Sequence, residues 1–403
     1  MVGARDSNSL DFLIFLICFL LFGCSAKAET LSITLGPQEK VFDYTTFNCP
    51  LSENEHDTVD MPVTAFRRGD GKVLFLASNS NNFEMVGNSV ESAQRSANCK
   101  KLIFSNYNPN PASYDYKSWL QAVYKTKLGE TLGLIHHEYH GEDITPVQCQ
   151  PDSNGKHTCW YGSALVAISQ DGGNNFIFSP SFSKVLATPP YPYQIGIGRM
   201  GYSSPKVVRL PDTASNKFAV FVLASHGINQ SVTVSSASGT CLFIGSGSNT
   251  ANWRGWNGSS FSTIVKDPYT PGGSLLANLC EPVIDLNIMS VKFIPAKNLF
   301  LAIGYRPSAT ANRTDLMFST SNNLISWSEP QLLRTFISHR DWQPGDIRPS
   351  YYHSLLDPDS SSVNFDTLEN RPFLYHAKWK TSVTEVLDDE RLLYRQPMFL
   401  NWE

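Results

Sequence analysis

The stretch Asp60-Met-Pro-Val-Thr-Ala-Phe-Arg-Arg-Gly-Asp-Gly-Lys-Val-Leu-Phe-Leu-Ala-Ser78 decides the fold. Two runs of β-branched and aromatic residues flank the turn Gly69-Asp70-Gly71, which is a hairpin signal. Phrases of the same kind follow at Trp119–His137, Pro205–Ser225, Ile288–Gly304 and Tyr352–Trp379. Five strand–turn–strand units in one chain predict radial repetition, which in an all-β protein means a five-bladed β-propeller. That fold gathers the first strand of every blade around one axis. A polar residue at the start of such a strand is therefore a candidate site residue.

Working outward, the pattern assigns strands to blades. Blade one takes Asp60–Phe66, Lys72–Ala77 and Lys101–Asn106. Blade two takes Trp119–Tyr124, Thr131–His137, Ser163–Ser169 and Asn175–Phe178. Blade three takes Lys206–Leu210, Phe218–Ala224 and Cys241–Gly245, ending near Trp253–Trp256. Blade four takes Ile288–Ile294, Leu299–Gly304, Leu316–Thr320 and Pro330–Arg334. Blade five takes Ser354–Leu356, Pro372–Lys378 and Arg391–Leu400, with Glu39–Tyr44 as an extra outer strand. No long amphipathic stripe of period 3.6 and no low-complexity linker interrupts the series. The expectation is one propeller domain over residues 30–403.

Residues 1–28 read as a signal peptide. Arg5 precedes the mostly apolar run Leu10–Phe22, and Ala26-Lys-Ala28 is an A-x-A cleavage site. The run is short for a membrane span, so no transmembrane segment is expected after cleavage. A competing reading is a lipoprotein signal, Leu21-Phe-Gly-Cys24, anchoring the chain through Cys24. Both take the protein out of the cytosol, to a secreted or periplasmic location. Six cysteines remain after residue 28, an even number that reads as disulfides in an exported chain. Pairing neighbours gives Cys49–Cys99, Cys149–Cys159 and Cys241–Cys280. Asn229, Asn257 and Asn312 head glycosylation sequons.

Net charge is −4 with 17% charged residues, so there is no basic field to hold a nucleic acid. Aromatics at 12% suit a β-rich core and also the flat apolar faces of sugars. The expected partner is an oligo- or polysaccharide, the expected state a monomer. No C-x-x-C pair or helical H-E-x-x-H spacing points to zinc. No metal and no cofactor are expected.

Two short turns and the opening hairpin carry a family resemblance. Ser169-Gln-Asp171-Gly-Gly173-Asn-Asn-Phe176 resembles the Asp-box of sialidase-like propellers, where the aspartate shapes a turn. Ser319-Thr-Ser321-Asn-Asn-Leu324-Ile-Ser-Trp327 is similar to the corresponding turn of five-bladed glycosidases, with Asn322 or Asn323 where an aspartate is usual. The opening Asp60-x-Pro62…Gly69-Asp70-Gly71-Lys72…Leu76-Ala77-Ser78 resembles the first blade of the arabinanase/xylosidase/invertase-like glycosidases. The resemblance implies an exported carbohydrate-active protein, a glycoside hydrolase whose first-blade aspartate is base or nucleophile. A non-catalytic glycan-binding or surface propeller is the alternative. Trp119–Gly141, Cys159–Phe176, Ser354–Asp357 and Asn364–Tyr375 also resemble exported bacterial proteins that carry no known activity. Sialidase chemistry is disfavoured: an arginine precedes the I-P of those enzymes, and Asp60 stands there instead.

Glycoside hydrolysis needs two carboxyl groups, one ionised and one protonated. Asp60 is the candidate base or nucleophile. Glu138 is the candidate acid, within His136-His-Glu-Tyr-His140, where His136, Glu138 and His140 share one face of a strand. Asp115 is placed as a modulator of proton affinity at the mouth of blade two. His136, His140 and His353 are candidate ligand contacts. Trp119, Tyr202 and Trp342 are candidate sugar platforms. The resemblance puts the glycosidase acid at or near blade three, and Gly201-Tyr-Ser-Ser-Pro205 contains no glutamate.

Overall fold

The computed structural model describes residues 30–44, 49, 57–145, 149–151, 157–181, 183–195, 200–210, 216–225, 239–270 and 280–403. The signal segment, Cys24 and Asn229 lie outside the described residues. Two units are present. In the smaller, Thr30–Thr34 pairs with 399–403, where Thr30 N–H donates to Glu403 O (3.0 Å) and Glu403 N–H to Thr30 O (3.1 Å). The larger, 35–398, is a five-bladed β-propeller.

Each blade is an antiparallel meander. Blade one is Thr64–Arg67, Val73–Leu76, Met85–Gly87 and Gln94–Arg95. Blade two is Lys117–Lys125, Thr131–His140, Trp160–Ser169 and Val185–Ala187. Blade three is Met200–Arg209, Phe218–Ser225, Gly239–Gly245 and Arg254–Trp256, with Phe261–Thr263 at its edge. Blade four is Asn287–Ile294, Leu299–Pro307, Thr314–Ser321 and Gln331–Phe336. Blade five is Ser350–Leu356, Phe373–Thr381 and the strand from Val386, with Glu39–Asp43 paired outside it as expected. The first strands touch in the cyclic order one, two, three, four, five, one.

The sequence explains the layering. Both faces of a blade pack on neighbours, so the strands are apolar on both sides rather than alternating. Blades five and one share a core of Leu356, Tyr375 and Trp379 against Val63, Phe75 and Met85. Blades one and two bury Phe66, Leu74 and Leu76 against Leu120, Ile135 and Leu165. Blades two and three bury Leu134 and Val166 against Tyr202, Phe218 and Val220. Blades three and four meet through Phe221 and Leu242 with Ile288 and Phe300. Removing one such ring, as in Phe75→Ala, costs about 3–5 kcal/mol.

The three neighbour disulfides form as expected, with Cα–Cα distances of 5.6, 5.3 and 5.9 Å. Among the described residues no helix is long and apolar enough to cross a membrane. Several strand assignments shift; blade five's first strand, for one, starts at Ser350 rather than Ser354. Blade one's outer strands are Met85–Gly87 and Gln94–Arg95, while Leu102 and Ile103 are buried beneath that blade as loop. Blade two's fourth strand is Val185–Ala187, and Ile177 makes only an isolated bridge to Ile168. Blade three's first strand starts at Met200, six residues before Lys206. A bulge between Ser203 and Lys206, with Ser204 at φ 51°, carries the strand through Pro205.

Candidate functional site

The first strands fix a common level around the axis. Thr64 of blade one donates its hydroxyl to Gln121 O of blade two (3.1 Å), and Gln121 Oε1 accepts from Lys206 Nζ of blade three (3.3 Å). Asp60 lies four residues before Thr64, and Lys117 four before Gln121. Glu138 is the cross-strand partner of Lys117. Asp60 and Glu138 therefore sit at the same end of the propeller, where the first strands begin.

They are not brought together. Asp60 faces blade five. Its Oδ1 accepts from Tyr352 Oη (2.8 Å) and from Arg391 Nη1, and its N–H donates to Ser78 O (3.0 Å). The carboxylate keeps 27% of its surface exposed. Arg391 also donates to Val59 O (3.0 Å) and lies 4.7 Å over the Trp379 ring, on which His339 is stacked at 4.8 Å. The arginine is thus fixed on both sides, and Asp60 is presented as a fixed negative charge.

Glu138 faces blade three. It stands on the strand face of Leu134 and His136, opposite to that of Ile135, which packs on blade one. His140 Nε2 lies 2.7 Å from Glu138 Oε2, His136 Nε2 lies 3.3 Å from Oε1, and His140 Nδ1 lies 3.0 Å from Glu142 Oε1. Burial pushes the Glu138 carboxyl up, but His136 and His140 outweigh it and hold the group well below the usual carboxylate range. Burial pushes His140 down, yet its bonds to Glu138 and Glu142 raise it to about 9. These directions favour a proton on His140 over one on Glu138, against the expectation of Glu138 as general acid. Both ring nitrogens of His140 are occupied by carboxylates. Among the described residues no group of three His, Cys, Asp or Glu is placed to hold a metal ion.

Asp115 shapes a loop, accepting from Asn106 Nδ2 (2.7 Å) and N–H (3.4 Å), and touches neither carboxylate network. Trp119 is buried and stacks on His136 at 5.4 Å, so its ring is covered. Tyr202 is fully buried between blades two and three with its hydroxyl 3.9 Å from Cys280 Sγ, and offers a sugar no face. His353 is also fully buried, with Nδ1 2.9 Å from Tyr305 Oη and Nε2 2.9 Å from Arg334 Nη2. Burial and Arg334 hold it well below the usual histidine range, hence neutral. Trp342 is 8% exposed, too little for a stacking platform.

The structure adds a cleft that the sequence reading missed. About 400 Å³ opens beside the start of blade four, lined by Asn287, Tyr305, Arg306, Arg313, Asp341 and Tyr351. Arg306 Nε is buried with no hydrogen-bond partner among the described residues. Tyr351 lines this cleft and the next residue, Tyr352, holds Asp60, their rings 5.1 Å apart. One strand of blade five thus separates the cleft from the carboxylate. No local motif marks these residues, since they come from four separate segments.

The two turns behave as their residue types demand. Asp171 Oδ1 accepts the N–H groups of Asn174 (3.0 Å) and Asn175 (2.9 Å). Asn323 Oδ1 does the same for Ile325 (3.0 Å) and Ser326 (2.8 Å). An amide oxygen replaces a carboxylate there because the turn asks only for an acceptor.

No protein-family model matches the sequence, and no curated protein matches it in sequence. Solved structures are similar in fold. A family 117 glycoside hydrolase from the marine bacterium Zobellia galactanivorans is 9% identical, over 92% of this chain and 90% of that one, with a TM-score of 0.47. A family 43 glycoside hydrolase from Bacillus licheniformis is 10% identical over 85% and 72%, with a TM-score of 0.46. An endo-arabinase from Bacteroides thetaiotaomicron is 9% identical over 90% and 98%, with a TM-score of 0.44.

Proposed function

We propose that this is an exported carbohydrate-active protein that engages an oligo- or polysaccharide at the end of the propeller where the first strands begin. The observation that carries this reading is Asp60, a part-exposed carboxylate fixed by Tyr352 and Arg391 beside the cleft of Arg306, Arg313, Asn287 and Tyr351. A fixed negative charge suits the base or nucleophile of glycoside hydrolysis. The cleft supplies ring faces and polar donors for sugar hydroxyls. In the blade-two cluster the proton donor is His140, oriented by Glu138 and Glu142. The paired cysteines fit an oxidising compartment outside the cytosol.

Binding without hydrolysis is the second reading. It is favoured by Asp60 and Glu138 facing different blade interfaces, and by Glu138 being held ionised rather than protonated. The purified chain and an Asp60→Asn variant, offered a panel of plant and microbial polysaccharides and aryl glycosides, separate the two. Turnover by the wild type that vanishes in the variant establishes the hydrolase. No turnover, with glycan-array binding lost in Arg306→Ala, establishes a binding propeller. No turnover with binding unchanged in Arg306→Ala removes the cleft from either account.

A further inference from the structure

The wall of the cleft is bonded to a buried histidine pair. His353 and His376, on the first two strands of blade five, are both fully buried, with rings 5.3 Å apart and 18° from parallel. Arg334, from the last strand of blade four, places Nη2 2.9 Å from His353 Nε2. A guanidinium only donates. His353 Nε2 therefore accepts, the ring is neutral, and its one proton is on Nδ1, which donates to Tyr305 Oη (2.9 Å). Lys378 Nζ donates to Gln38 Oε1 (2.8 Å), so the amide nitrogen of Gln38 faces His376 Nε2 (2.9 Å) and that ring nitrogen accepts too. The proton of His376 is then on Nδ1, which is buried with no hydrogen-bond partner among the described residues. A second proton on either ring sets N–H against N–H. Among the described residues the charged groups facing the pair are the cations Arg334 and Lys378, with Arg348 beyond Lys378, and the titratable rings around it are Tyr305, Tyr351 and Tyr394. Burial and these cations hold both histidines well below their usual range.

The pair pins a strained segment. The first two strands of blade five shift register between Tyr351 and Ser354, and Tyr352 there has φ 55°, a left-handed backbone that a tyrosine rarely adopts. Besides its ring, His353 gives its backbone N–H to the same Tyr305 Oη (2.9 Å). Tyr305 and Tyr351 line the cleft with rings 4.6 Å apart, and Tyr352 bonds Asp60. A bulge re-aims the side chains it carries, so what fixes this one fixes both the cleft wall and the carboxylate. We propose that His353 is a positioning residue that holds the bulge, and with it the cleft wall and the Tyr352–Asp60 bond, and that acid releases it by placing a proton on Nε2 and expelling Arg334. The inference concerns the wall of the cleft and is independent of what the cleft binds.

Hydrogen exchange read by mass spectrometry between about pH 6.5 and pH 4.5, corrected for the intrinsic rate at each pH, tests this. An opened segment takes protons with the ordinary histidine affinity near 6.5. Each histidine released therefore multiplies the open population by up to about ten per pH unit below that value. Protection over Leu299–Pro307, Ser350–Leu356 and Phe373–Thr381 is expected to fall on that slope, while the strands of blade three, which hold no histidine, stay protected. His353→Gln keeps both side-chain bonds, its amide oxygen accepting from Arg334 and its nitrogen donating to Tyr305, but it takes up no proton. Its protection at pH 6.5 is expected to match the wild type, and its slope to be shallower by up to about tenfold per pH unit. Wild-type protection indifferent to pH overturns the proposal, as does a loss shared equally by blade three or an undiminished slope in His353→Gln. The two wild-type outcomes decide it if the variant does not fold.

Discussion

Asp60 and Glu138 are carboxylates at the same end of the same propeller, and they are held in opposite ways. The partners of Glu138 lie two residues away on its own strand, at His136 and His140. The partners of Asp60, Tyr352 and Arg391, come from blade five, at the other end of the chain. The Glu138 cluster is assembled within blade two, from its own strand, the turn that follows and Trp160 of the next strand, and needs no closed ring. The Asp60 network exists only when blade five docks on blade one. A charge fixed by ring closure is presented at a set place, whereas a cluster that carries its own counter-ions within one blade neutralises itself there. This difference makes Asp60 the better centre for a site.

The sharpest test of that contrast is titration. His140 has a folded proton affinity raised to about 9 by Glu138 and Glu142. Its contribution is complete below the unfolded value near 6.5 and is lost as pH rises through 9, amounting to about 3 kcal/mol at most. Urea unfolding of the wild type and His140→Gln between pH 6 and 9.5 should show a gap that closes as pH rises. Lys206 and Lys292, lowered by burial, titrate in this range with the opposite sign. They do so in both proteins, so the difference isolates His140. A gap independent of pH means that His140 carries no extra proton in the folded protein.

Arg391→Gln probes the other region. The arginine packs on Trp379 and binds Asp60, with 13% of its side chain exposed. Losing a charged partner at a part-buried carboxylate costs about 2 kcal/mol. Because the bond spans blades five and one, the loss should be accompanied by faster hydrogen exchange in the first strands of both blades. An exchange change confined to blade five means that the bond does not tie the two blades together.

The same distinction governs what could be read in advance. Five blades, three neighbour disulfides and the outer strand Glu39–Asp43 follow from local patterns of alternation, turn residues and cysteine spacing. The His136–His140 cluster was visible as a string of letters. Its proton distribution was not, because that depends on His140 lying between Glu138 and Glu142, the latter in the short 3₁₀ turn after the strand. Tyr352, Arg391 and the Arg306–Arg313 cleft carry no motif, since each becomes functional only through contacts set by the ring. Lys101–Asn106 reads as a strand because Leu102, Ile103 and Phe104 are apolar, yet Leu102 and Ile103 serve the core beneath blade one and Phe104 is exposed. Met85–Gly87 and Gln94–Arg95 were too short to show any period. Gly201-Tyr-Ser-Ser-Pro205 lies ahead of the strand read from Lys206, and the bulge at Ser203–Lys206 lets that strand start at Met200. Tyr202, His353 and Trp342 were chosen by chemical type, and burial removed them.

The smallest expected effect is the most exacting for the comparison. Asp60 bonds across to blade five and Glu138 faces blade three, with different ion-pair partners among the described residues. Mutations without shared partners add to within about 0.5 kcal/mol. The double variant Asp60→Asn/Glu138→Gln should therefore lose the sum of the single losses in urea unfolding. Hydrolysis by a facing carboxyl pair requires the opposite, because an ionised group close enough to keep its neighbour protonated is coupled to it, and replacing either changes the proton affinity of the other. A coupling of about 1 kcal/mol or more, favouring the single variants over the sum, would bring the two carboxylates into one site and restore the paired-carboxylate mechanism that their separate blade interfaces argue against.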